Sequence, residues 1–272
     1  MIVFPKAKIN LGLHITRKRP DGYHDIETIF YPVSLSDALE FVVSDEPFKK
    51  DILTVTGINT GSDPEGNLVL KTVRILREKY SFPLLRIHLH KVIPIGAGLG
   101  GGSSDAAHLL KAINKSFGLF INDQNLKVTA LELGSDCPFF IDCIPAFASG
   151  RGEVLKPIRP VLTGYYLLLI NPGISINTRE AYQNCRPEQP SNNLIKLIDR
   201  PITEWKDLII NNFEDYSFRK YPLLGKIKDE LYCSGALFSS MSGSGSSVYG
   251  IFSDKPVVPA KLKDFVVWEG VM

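Results

Sequence analysis

A glycine-rich segment in the first half of the chain, GAGLGGGSSDAA at residues 96–107, constrains the fold more than any other feature. Five of its first seven residues are glycine. Glycine costs conformational entropy on folding, so such a run marks a place where the backbone needs a positive φ or approaches another group closely. An alternating pattern over 85–92 precedes the run and helical spacing follows it to about residue 117, which predicts a strand, a loop and a helix.

The loop ends in residues that favour helix initiation. Ser103, Ser104 and Asp105 are good N-cap residues and predict the start of the helix. A helix N-terminus presents unpaired N–H groups and the positive end of the helix dipole, and the preceding glycine amides add further donors. The segment therefore predicts a cradle for a phosphate chain. The alternative is a flexible turn into a helix, which needs only one or two glycines.

Two common nucleotide motifs do not fit the segment. A Walker A loop requires a lysine after its last glycine, and no lysine follows Gly101. Gly96, Gly98 and Gly101 match G-x-G-x-x-G, but a dinucleotide fold also needs an acidic residue about 20 positions later, at the end of a second strand. The residues there, INKSFGLFIND, continue a helix and enter a loop. The context disfavours an NAD-dependent oxidoreductase, which would bind a nicotinamide cofactor.

Composition narrows the class of protein. The 272 residues, 44% of them hydrophobic, suffice for one large or two modest domains. A net charge of +2 gives no support for binding to nucleic acid or to an anionic membrane. Four cysteines without a CxxC pair disfavour zinc and a disulfide framework. The N-terminus lacks a signal-peptide layout and the longest apolar run, 165–170, is too short to span a bilayer, so we expect a cytoplasmic protein.

The remaining chain mixes strand and helix patterns. From Ala7 to Ile15 apolar residues recur at every second position, which predicts a strand with one buried face, while Lys8 and Asn10 share the other. Further strands are predicted over 38–43, 52–57, 85–92, 146–150, 153–158, 165–173 and on both sides of 242–246. Helices are predicted over 68–80 after a cap at Asn67, up to about 117, from 122 or 123, and across most of 178–232. This mixture predicts an α+β fold with two domains, 1–155 and 156–272.

A second small-residue loop, Ser242 to Ser246, lies between two predicted strands. Together with the glycine segment it suggests two walls of one phosphate site. Taken alone, it is equally consistent with an ordinary hairpin that has a Gly/Ser tip.

Five segments, in order along the chain, carry a family resemblance. PIGAGLGGGSSDAA at 94–107 resembles the central ATP-binding motif of the GHMP kinases, and MSGSGSSVY at 241–249 resembles their third motif. AKINLGLHITRKRPDGYH, GSDCPFF and NPGISINT resemble the branch that phosphorylates a cytidine-linked methylerythritol at its tertiary 2-hydroxyl. The resemblance implies an α+β, two-domain GHMP kinase fold that uses ATP and Mg²⁺, with ATP and substrate in the interdomain cleft.

The resemblance also implies catalytic roles. The family's motif aspartate falls on Asp136, the candidate general base for a poorly nucleophilic tertiary alcohol. Lys8 falls on the family's N-terminal motif and is the candidate ammonium that keeps the aspartate ionised and stabilises the developing alkoxide. The alternatives are a turn or N-cap role for Asp136 and a solvated surface position for Lys8.

The nucleotide contacts implied by the resemblance centre on residues 94–104, which are expected to wrap the phosphates. Ser104 would contact either a phosphate or the Mg²⁺, and Asn67 and Lys91 fall where the family contacts adenine. The loop Gly243–Gly245 is expected to buttress the phosphate loop, more by its small size than by direct contact. The phosphate-wrapping residues are Pro94, Ile95, Gly96, Ala97, Gly98, Leu99, Gly100, Gly101, Gly102, Ser103 and Ser104.

For the substrate, the resemblance implies a cytosine sandwiched between Tyr23 and Tyr182, with His24 bonding its edge. Asn10, Thr178 and Asp136 complete the predicted substrate-binding set. The other histidines, including the alternating pair at 88 and 90, are interpreted as structural. The family's acidic Mg²⁺ ligand has no evident counterpart, which leaves the metal ligands open, and serines stand at 242 and 244 where threonine is expected.

Two further alternatives remain at this stage, beside the oxidoreductase disfavoured above. Homoserine or mevalonate kinase is the nearest rival within the family, and the DGYH and GSDCPFF segments disfavour both. A nucleotide-binding regulator that has lost turnover is a second class, disfavoured by the presence of Lys8 and Asp136. We expect a small-molecule substrate, no nucleic-acid or membrane partner, and a monomer or weak homodimer.

Overall fold

The computed structural model describes residues 1–44, 50–58 and 64–272. Its contacts divide the chain into two compact units. The first unit comprises Met1–Ala7, Leu35–Ile95 and Gly100–Ile144, and the second comprises Lys8–Ser34, Gly96–Leu99 and Pro145–Met272. The predicted boundary between 155 and 156 does not coincide with this division. The physical reason is strand pairing, because two N-terminal strands join a sheet with strands from the middle of the chain.

Within the described part of the chain there are twelve strands and eight α-helices. The strands are β1 (Ile2–Val3), β2 (Lys6–Lys18), β3 (His24–Ser36), β4 (Ala38–Val43), β5 (Ile52–Gly57), β6 (Leu85–Lys91), β7 (Ala146–Ser149), β8 (Val154–Pro157), β9 (Tyr166–Ile170), β10 (Phe238–Met241), β11 (Val248–Phe252) and β12 (Val266–Val271). The helices are α1 (Leu68–Arg77), α2 (Gly101–Ser116), α3 (Asp123–Leu133), α4 (Phe139–Asp142), α5 (Thr178–Gln183), α6 (Leu194–Leu197), α7 (Phe213–Lys220) and α8 (Pro222–Cys233).

The first unit is a sheet of order β1-β4-β6-β5 with α1 and α2 in contact. Strand β6 pairs antiparallel with β4 and parallel with β5. The alternating side chains Leu85, Ile87 and Leu89 are buried, as the sequence pattern predicts. Helix α2 buries its apolar stripe, which includes Leu110 and Ile113, and this burial fixes the helix that follows the glycine loop.

The second unit contains two four-stranded sheets, of order β2-β3-β7-β8 and β10-β11-β9-β12. Strands β9, β10 and β11 are antiparallel, so the loop at 242–247 closes the β10–β11 hairpin. One buried cluster joins residues of β2, β9 and the helices α7 and α8, including Leu13, Ile170, Phe213 and Leu231. These contacts hold the second small-residue loop on a packed scaffold.

The structure confirms the predicted strands and most helices, adds the strand β3, which was not predicted, and changes three further details. Helix α1 ends at Arg77 rather than near 80. Helix α2 begins at Gly101, so Ser103, Ser104 and Asp105 lie within its first two turns and are not its caps. Strand β2 is buried on both faces from Ala7 to His14, because the face that bears Lys8 and Asn10 is covered by other parts of the second unit.

None of the helices in the described ranges has the length and apolar character needed to cross a bilayer.

Candidate active site

The glycine loop follows an alternating backbone pattern that explains its composition. Gly96, Gly98 and Gly100 have φ of 62°, 75° and 70°, while the residues between them are not in this region. Only glycine adopts such angles without strain. An alternation of this kind turns successive main-chain N–H groups toward one side and forms an anion-binding concavity.

Three consecutive carbonyls of this loop are bonded within the second unit. The carbonyl of Ala97 accepts from Ser247 N at 3.2 Å, and that of Leu99 accepts from Lys8 N at 3.0 Å. The carbonyl of Gly98 accepts from Lys8 Nζ at 2.9 Å and from Ser242 Oγ at 2.8 Å. In a trans peptide the C=O and the following N–H point in opposite directions. The amides of the three peptides therefore point away from these internal partners.

Helix α2 begins directly after the loop with its N-terminus uncovered by a side chain. Its N-cap is Gly100, which makes no side-chain capping bond. Close packing favours glycine at 101, because a Cβ there would lie 3.0 Å from Ile93 Cγ2 and 3.3 Å from Lys91 Nζ. A long helix that starts with free amide donors after a glycine loop provides the geometry that binds phosphate.

The two predicted serines of this helix have different surroundings. Ser103 is partly exposed. Cys137, which lies just before helix α4, is buried, and burial raises the pKa of its thiol to about 12, so it stays protonated. Ser104 is fully buried, with its Oγ 3.3 Å from His108 Nδ1. The predicted phosphate or Mg²⁺ contact of Ser104 thus does not match the position of its hydroxyl, whereas Ser103 lies at the surface.

Lys8 is buried in the second unit, with 3% of its surface exposed. Its ammonium donates to Gly98 O and, at 2.6 Å, to Asn10 Oδ1, and it lies 5.1 Å from the centre of the Phe30 ring. The alternative of a solvated surface lysine is therefore wrong. Lys8 and Asn10 do share one face of β2, as the alternation predicts, and the side chain of Lys8 reaches the glycine loop.

The side chain of Asn10 is engaged by hydrogen bonds inside the protein, one of them to the ammonium of Lys8. Its Nδ2 donates to Thr28 Oγ1 at 2.9 Å, and its backbone N donates to Ser242 Oγ at 3.2 Å. The hydroxyl of Tyr249, fully buried, donates to Asn10 O at 2.7 Å. Thr28 and Tyr249 were not predicted, because an isolated Thr or Tyr in a strand carries no spacing signal.

The Gly/Ser loop contacts the glycine loop both by its small size and by hydrogen bonds. A Cβ on Gly98 would lie 1.9 Å from the carbonyl oxygen of Ser242, so no side chain fits there. Ser242 also donates to Gly98 O, and Ser247 donates through its backbone to Ala97 O. The expectation that the loop acts more by small size than by contact is incomplete, since direct bonds are present too. Serine supplies the hydroxyl that is used at 242, whereas the bond from 247 is made by the main chain.

Lys91 forms an ion-pair network inside the first unit. Its ammonium pairs with Asp105 Oδ2 at 2.7 Å and, more closely, with Asp37, and it is 4% exposed. Asp37 Oδ1 also accepts from the backbone amides of Val92 at 2.6 Å and Ile93 at 2.8 Å. The network joins the segments on either side of the glycine loop in sequence. The ammonium of Lys91 is thus engaged by carboxylates and not presented to an adenine.

Asp105 is the member of this network whose negative charge is least favoured by its surroundings. Burial, with the neighbouring Asp37 charge, raises its pKa from an ordinary 3.8 to about 7, against the opposing effect of Lys91. Its Oδ1 is buried and makes no hydrogen bond among the described residues. One ammonium therefore serves two buried carboxylates, and the second of them is held close to its protonated form.

Asn67 and Asp136 occupy the termini of helices in the first unit. Asn67 caps α1, accepting from Val69 N at 2.9 Å, which confirms the predicted helix cap. Asp136 is partly buried in the turn that precedes α4, next to the buried Cys137. Helix α4, which follows this turn, packs against α2. The first unit thus places the predicted base in a turn that leads into a helix packed on α2.

The predicted base-binding residues lie together in the second unit, but not as a sandwich. The rings of His24 and Tyr182 are stacked, with centroids 4.9 Å apart and planes at 15°. Tyr182 also meets Phe213 edge-on at 4.9 Å. Tyr23 is 55% exposed, and the guanidinium of Arg151 lies 4.8 Å from its ring centre. His24 thus occupies a face of Tyr182 that was expected to stack on the base.

His24 is poised as a neutral imidazole. Burial lowers its pKa below the ordinary 6.5, and the nearby Lys18 lowers it further. A neutral imidazole has one donor and one acceptor nitrogen, which suits the pairing edge of a nucleobase. Thr178 begins α5, and its Oγ1 lies 3.1 Å from Ser244 Oγ in the Gly/Ser loop. The predicted substrate residues of the second unit therefore adjoin its small-residue loop.

Among the described residues no three His, Cys, Asp or Glu side chains come together as a metal site. Mg²⁺ in phosphoryl-transfer enzymes is commonly held by substrate phosphates with one or two carboxylates and several waters. The residues present fit that mode of binding, in which the half-buried Asp136 would supply a carboxylate.

Comparisons with known proteins identify the family. The family described as GHMP kinases N terminal domain matches residues 67–145, and GHMP kinases C terminal matches 193–264. A 4-diphosphocytidyl-2-C-methyl-D-erythritol kinase of Bacteroides thetaiotaomicron is 50% identical over 259 residues, 95% of this chain and 94% of its own.

Solved structures agree at the level of the fold. A crystal structure of 4-(cytidine 5'-diphospho)-2C-methyl-D-erythritol kinase aligns with TM-score 0.78 and 32% identity, covering 92% of this chain and 90% of its own. The mevalonate kinase of Methanococcus jannaschii aligns with TM-score 0.68 at 15% identity, covering 93% and 90%, which shows the fold alone. The glycine loop, its helix and the near full-length matches lead to one conclusion: the chain belongs to the GHMP kinase family, among the 4-diphosphocytidyl-2-C-methyl-D-erythritol kinases.

Proposed function

We propose that the protein transfers the γ-phosphoryl group of ATP to the 2-hydroxyl of 4-diphosphocytidyl-2-C-methyl-D-erythritol, in the non-mevalonate route to isoprenoid precursors. One observation carries the proposal: the glycine loop turns consecutive main-chain amides outward just before the uncapped N-terminus of α2, in a chain that is 50% identical to a kinase of that name. It is a small-molecule kinase, and kinases of this family are ATP-dependent.

The main chain of the loop supplies the proposed ATP contacts. Residues 95–103 donate their amides to the triphosphate, and the dipole of α2 favours the negative charge. Ser103, at the surface, replaces Ser104 as the hydroxyl that contacts a phosphate oxygen. Asn67 and the backbone of Lys91 remain proposed for the adenine side, since the ammonium of Lys91 is engaged by Asp37 and Asp105.

Asp136 and Lys8 are proposed to handle the transferred charge and proton. Asp136 accepts the proton of the tertiary alcohol as it attacks the γ-phosphorus, in a reaction governed by positioning and charge stabilisation. Lys8 provides a positive charge to the transferring group, and Asn10 orients its ammonium through the 2.6 Å bond. When bound, Mg²⁺ would neutralise charge on the β- and γ-phosphates, with Asp136 as a proposed ligand or neighbour.

The cytosine end of the substrate is assigned to the second unit. His24 bonds the pairing edge of the base, Tyr23 stacks on its ring, and Tyr182 is a second stacking surface once the His24 ring leaves its face. Thr178 is proposed to contact the substrate beside the Gly/Ser loop. The free thiols of all four cysteines support a reducing, cytoplasmic location, and a monomer or weak homodimer remains our expectation.

The decisive test is a substrate comparison. The protein is incubated with ATP and Mg²⁺ and with 4-diphosphocytidyl-2-C-methyl-D-erythritol, mevalonate or homoserine in turn, and ADP release is followed. We expect turnover of the cytidine-linked alcohol alone. Turnover of mevalonate but not of the cytidine-linked alcohol would overturn the assignment.

The base role of Asp136 has its own test. Replacing the carboxylate by an amide in Asp136→Asn removes the proton acceptor while keeping the size of the side chain, so kcat should fall by roughly 10²–10⁴. Asp142→Asn, at the end of α4, serves as the matched control, because its carboxylate pairs with Lys127 and has no proposed part in the reaction. An Asp136→Asn variant with the kcat of the original protein would remove Asp136 from the mechanism.

A further inference from the structure

Asn211 bonds to the main chain of the Gly/Ser loop. It lies outside every family motif quoted above, and no sequence pattern predicted this contact. It is 3% exposed, and its Nδ2 donates to both Met241 O and Gly243 O at 2.8 Å. Its Oδ1 accepts from Phe213 N at 3.0 Å. One side-chain amide therefore satisfies two carbonyls on either side of Ser242, and its own acceptor is used as well.

The backbone around Asn211 is fixed to the strand that bears Lys8. Leu13 N donates to Ile210 O and Asn212 N donates to Leu13 O, both at 2.9 Å, so the segment forms a bridge with β2. The neighbouring Asn212 accepts from Ile15 N at 2.8 Å through its Oδ1. Asn211 thus reaches the loop from a segment that is anchored on β2 and cannot shift independently of it.

What Asn211 holds is the residue that contacts the glycine loop. Ser242 lies between the two bonded carbonyls, and its Oγ donates to Gly98 O, the same oxygen that accepts from Lys8 Nζ. The carbonyl of Ser242 fills the space where a side chain on Gly98 would lie. A shift of Ser242 would therefore alter the orientation of the 98–99 peptide, whose amide is one of those turned outward.

We propose that Asn211 is a positioning residue for the nucleotide site: its side-chain amide sets the Gly/Ser loop so that the loop holds the phosphate-binding main chain in its productive orientation. The inference rests on the proposed function, since it assigns the glycine loop to ATP. It predicts an effect on the nucleotide and on transfer, with little effect on the cytidine end of the substrate.

The test is a pair of asparagine substitutions at adjacent positions. Asn211→Asp keeps the acceptor and the size of the side chain but removes both N–H donors, and Asn211→Ser is a second variant in case a carboxylate prevents folding. Asn212→Ala is the matched control, because it removes a bond to β2 without touching the loop. For each variant we would measure KM for ATP, KM for the cytidine-linked alcohol, kcat, Tm and the Kd of a fluorescent ATP analogue.

We expect the Asn211 variants to raise KM and Kd for the nucleotide roughly 10-fold or more, from the loss of donors to buried carbonyls. KM for the cytidine-linked alcohol should change less than KM for ATP, since Thr178 adjoins the loop at Ser244 whereas His24 and Tyr182 stack on each other. Asn212→Ala should lower Tm while leaving nucleotide affinity unchanged. Equal nucleotide affinity in the Asn211 variants and the original protein, or an equal loss in Asn212→Ala, would overturn the proposal.

The original protein supplies a measurement that does not depend on folding of the variants. In hydrogen exchange, saturating ATP analogue should slow the amides of 242–247 together with those of 96–102, because the two loops are bonded to each other. Slowing confined to 96–102 would contradict the inference. Failure of the proposed function is a separate outcome: the original protein would not turn over the cytidine-linked alcohol. The nucleotide Kd of the Asn211 variants, compared with that of the original protein, would still test the role of Asn211.

Discussion

Two lysines, Lys8 in the second unit and Lys91 in the first, are equally buried but bond to different acceptors. The comparison shows that the acceptors of a buried ammonium group indicate its role better than its burial does. Both are almost fully covered, at 3% and 4% exposed. Lys91 pairs with the carboxylates of Asp37 and Asp105, whereas the bonds described for Lys8 include a main-chain carbonyl of the glycine loop and the amide of Asn10. Burial alone does not indicate function: Lys91 joins structural segments, and Lys8 reaches the loop assigned to the phosphates.

The largest effect is expected at Lys91. Lys91→Met keeps most of the side-chain volume but leaves Asp37 and Asp105 buried without their cation, so we expect a loss of about 3–5 kcal/mol of unfolding free energy. Chemical denaturation of the purified variant checks this. A matched control is Lys79→Met, whose surface pair with Glu132 should contribute less than about 1 kcal/mol. If Lys91→Met were as stable as Lys79→Met, the buried ion pairs of Lys91 would contribute no more to stability than the surface pair of Lys79.

The next effect concerns catalysis. Lys8→Met should reduce kcat by roughly 10²–10³, in the range seen when one group that stabilises transition-state charge is removed. Single-turnover phosphoryl transfer is the measurement, with Tm recorded alongside. Lys8→Arg keeps the charge but moves it, and should recover only part of the loss. If Lys8→Met transfers phosphate at the original rate, Lys8 would be structural like Lys91.

The smallest effect sharpens the description of the Lys91 network. Because the pKa of Asp105 is raised to about 7 in the folded protein, its contribution to stability is present below about pH 4 and is lost as pH rises toward 7. Asp105→Asn cannot titrate. The unfolding free energy of the original protein should therefore fall relative to that of Asp105→Asn as the pH rises over this window. A difference independent of pH would show that Lys91 keeps Asp105 ionised throughout.

The sequence predicted the parts of the fold that depend on local pattern. Period-two alternation identified β2 and β6, and glycine density identified the loop, because glycine at 96, 98 and 100 answers a backbone requirement that sequence displays directly. The helix cap at Asn67 was also predicted, and the start of α3 was predicted at 122 or 123, where Asn122 proves to be the cap. Local rules sufficed for these elements.

The rest depends on contacts between distant residues. Asn211 and Asp37 act through bonds to segments 30 and 54 or more positions away, and nothing in their neighbourhood signals it. The helix start at Gly101 was missed because Ser103 and Ser104 are better cap residues, yet close packing against Ile93 favours a glycine within the helix. The stacking of His24 on Tyr182 likewise follows from tertiary packing and not from the DGYH segment.

The inward bonds of the three loop carbonyls have an evolutionary consequence. A pocket lined by peptide amides has few side chains that a single substitution could change to alter nucleotide affinity. Variation in affinity is therefore expected at the distant residues that hydrogen-bond to the carbonyls of the loop. Lys8 and Ser242 are such residues, because their side chains bond the carbonyl of Gly98, and both lie far along the chain from the loop itself. An inhibitor that mimics the phosphates would accordingly face resistance mutations at remote positions, and seldom within the glycine run.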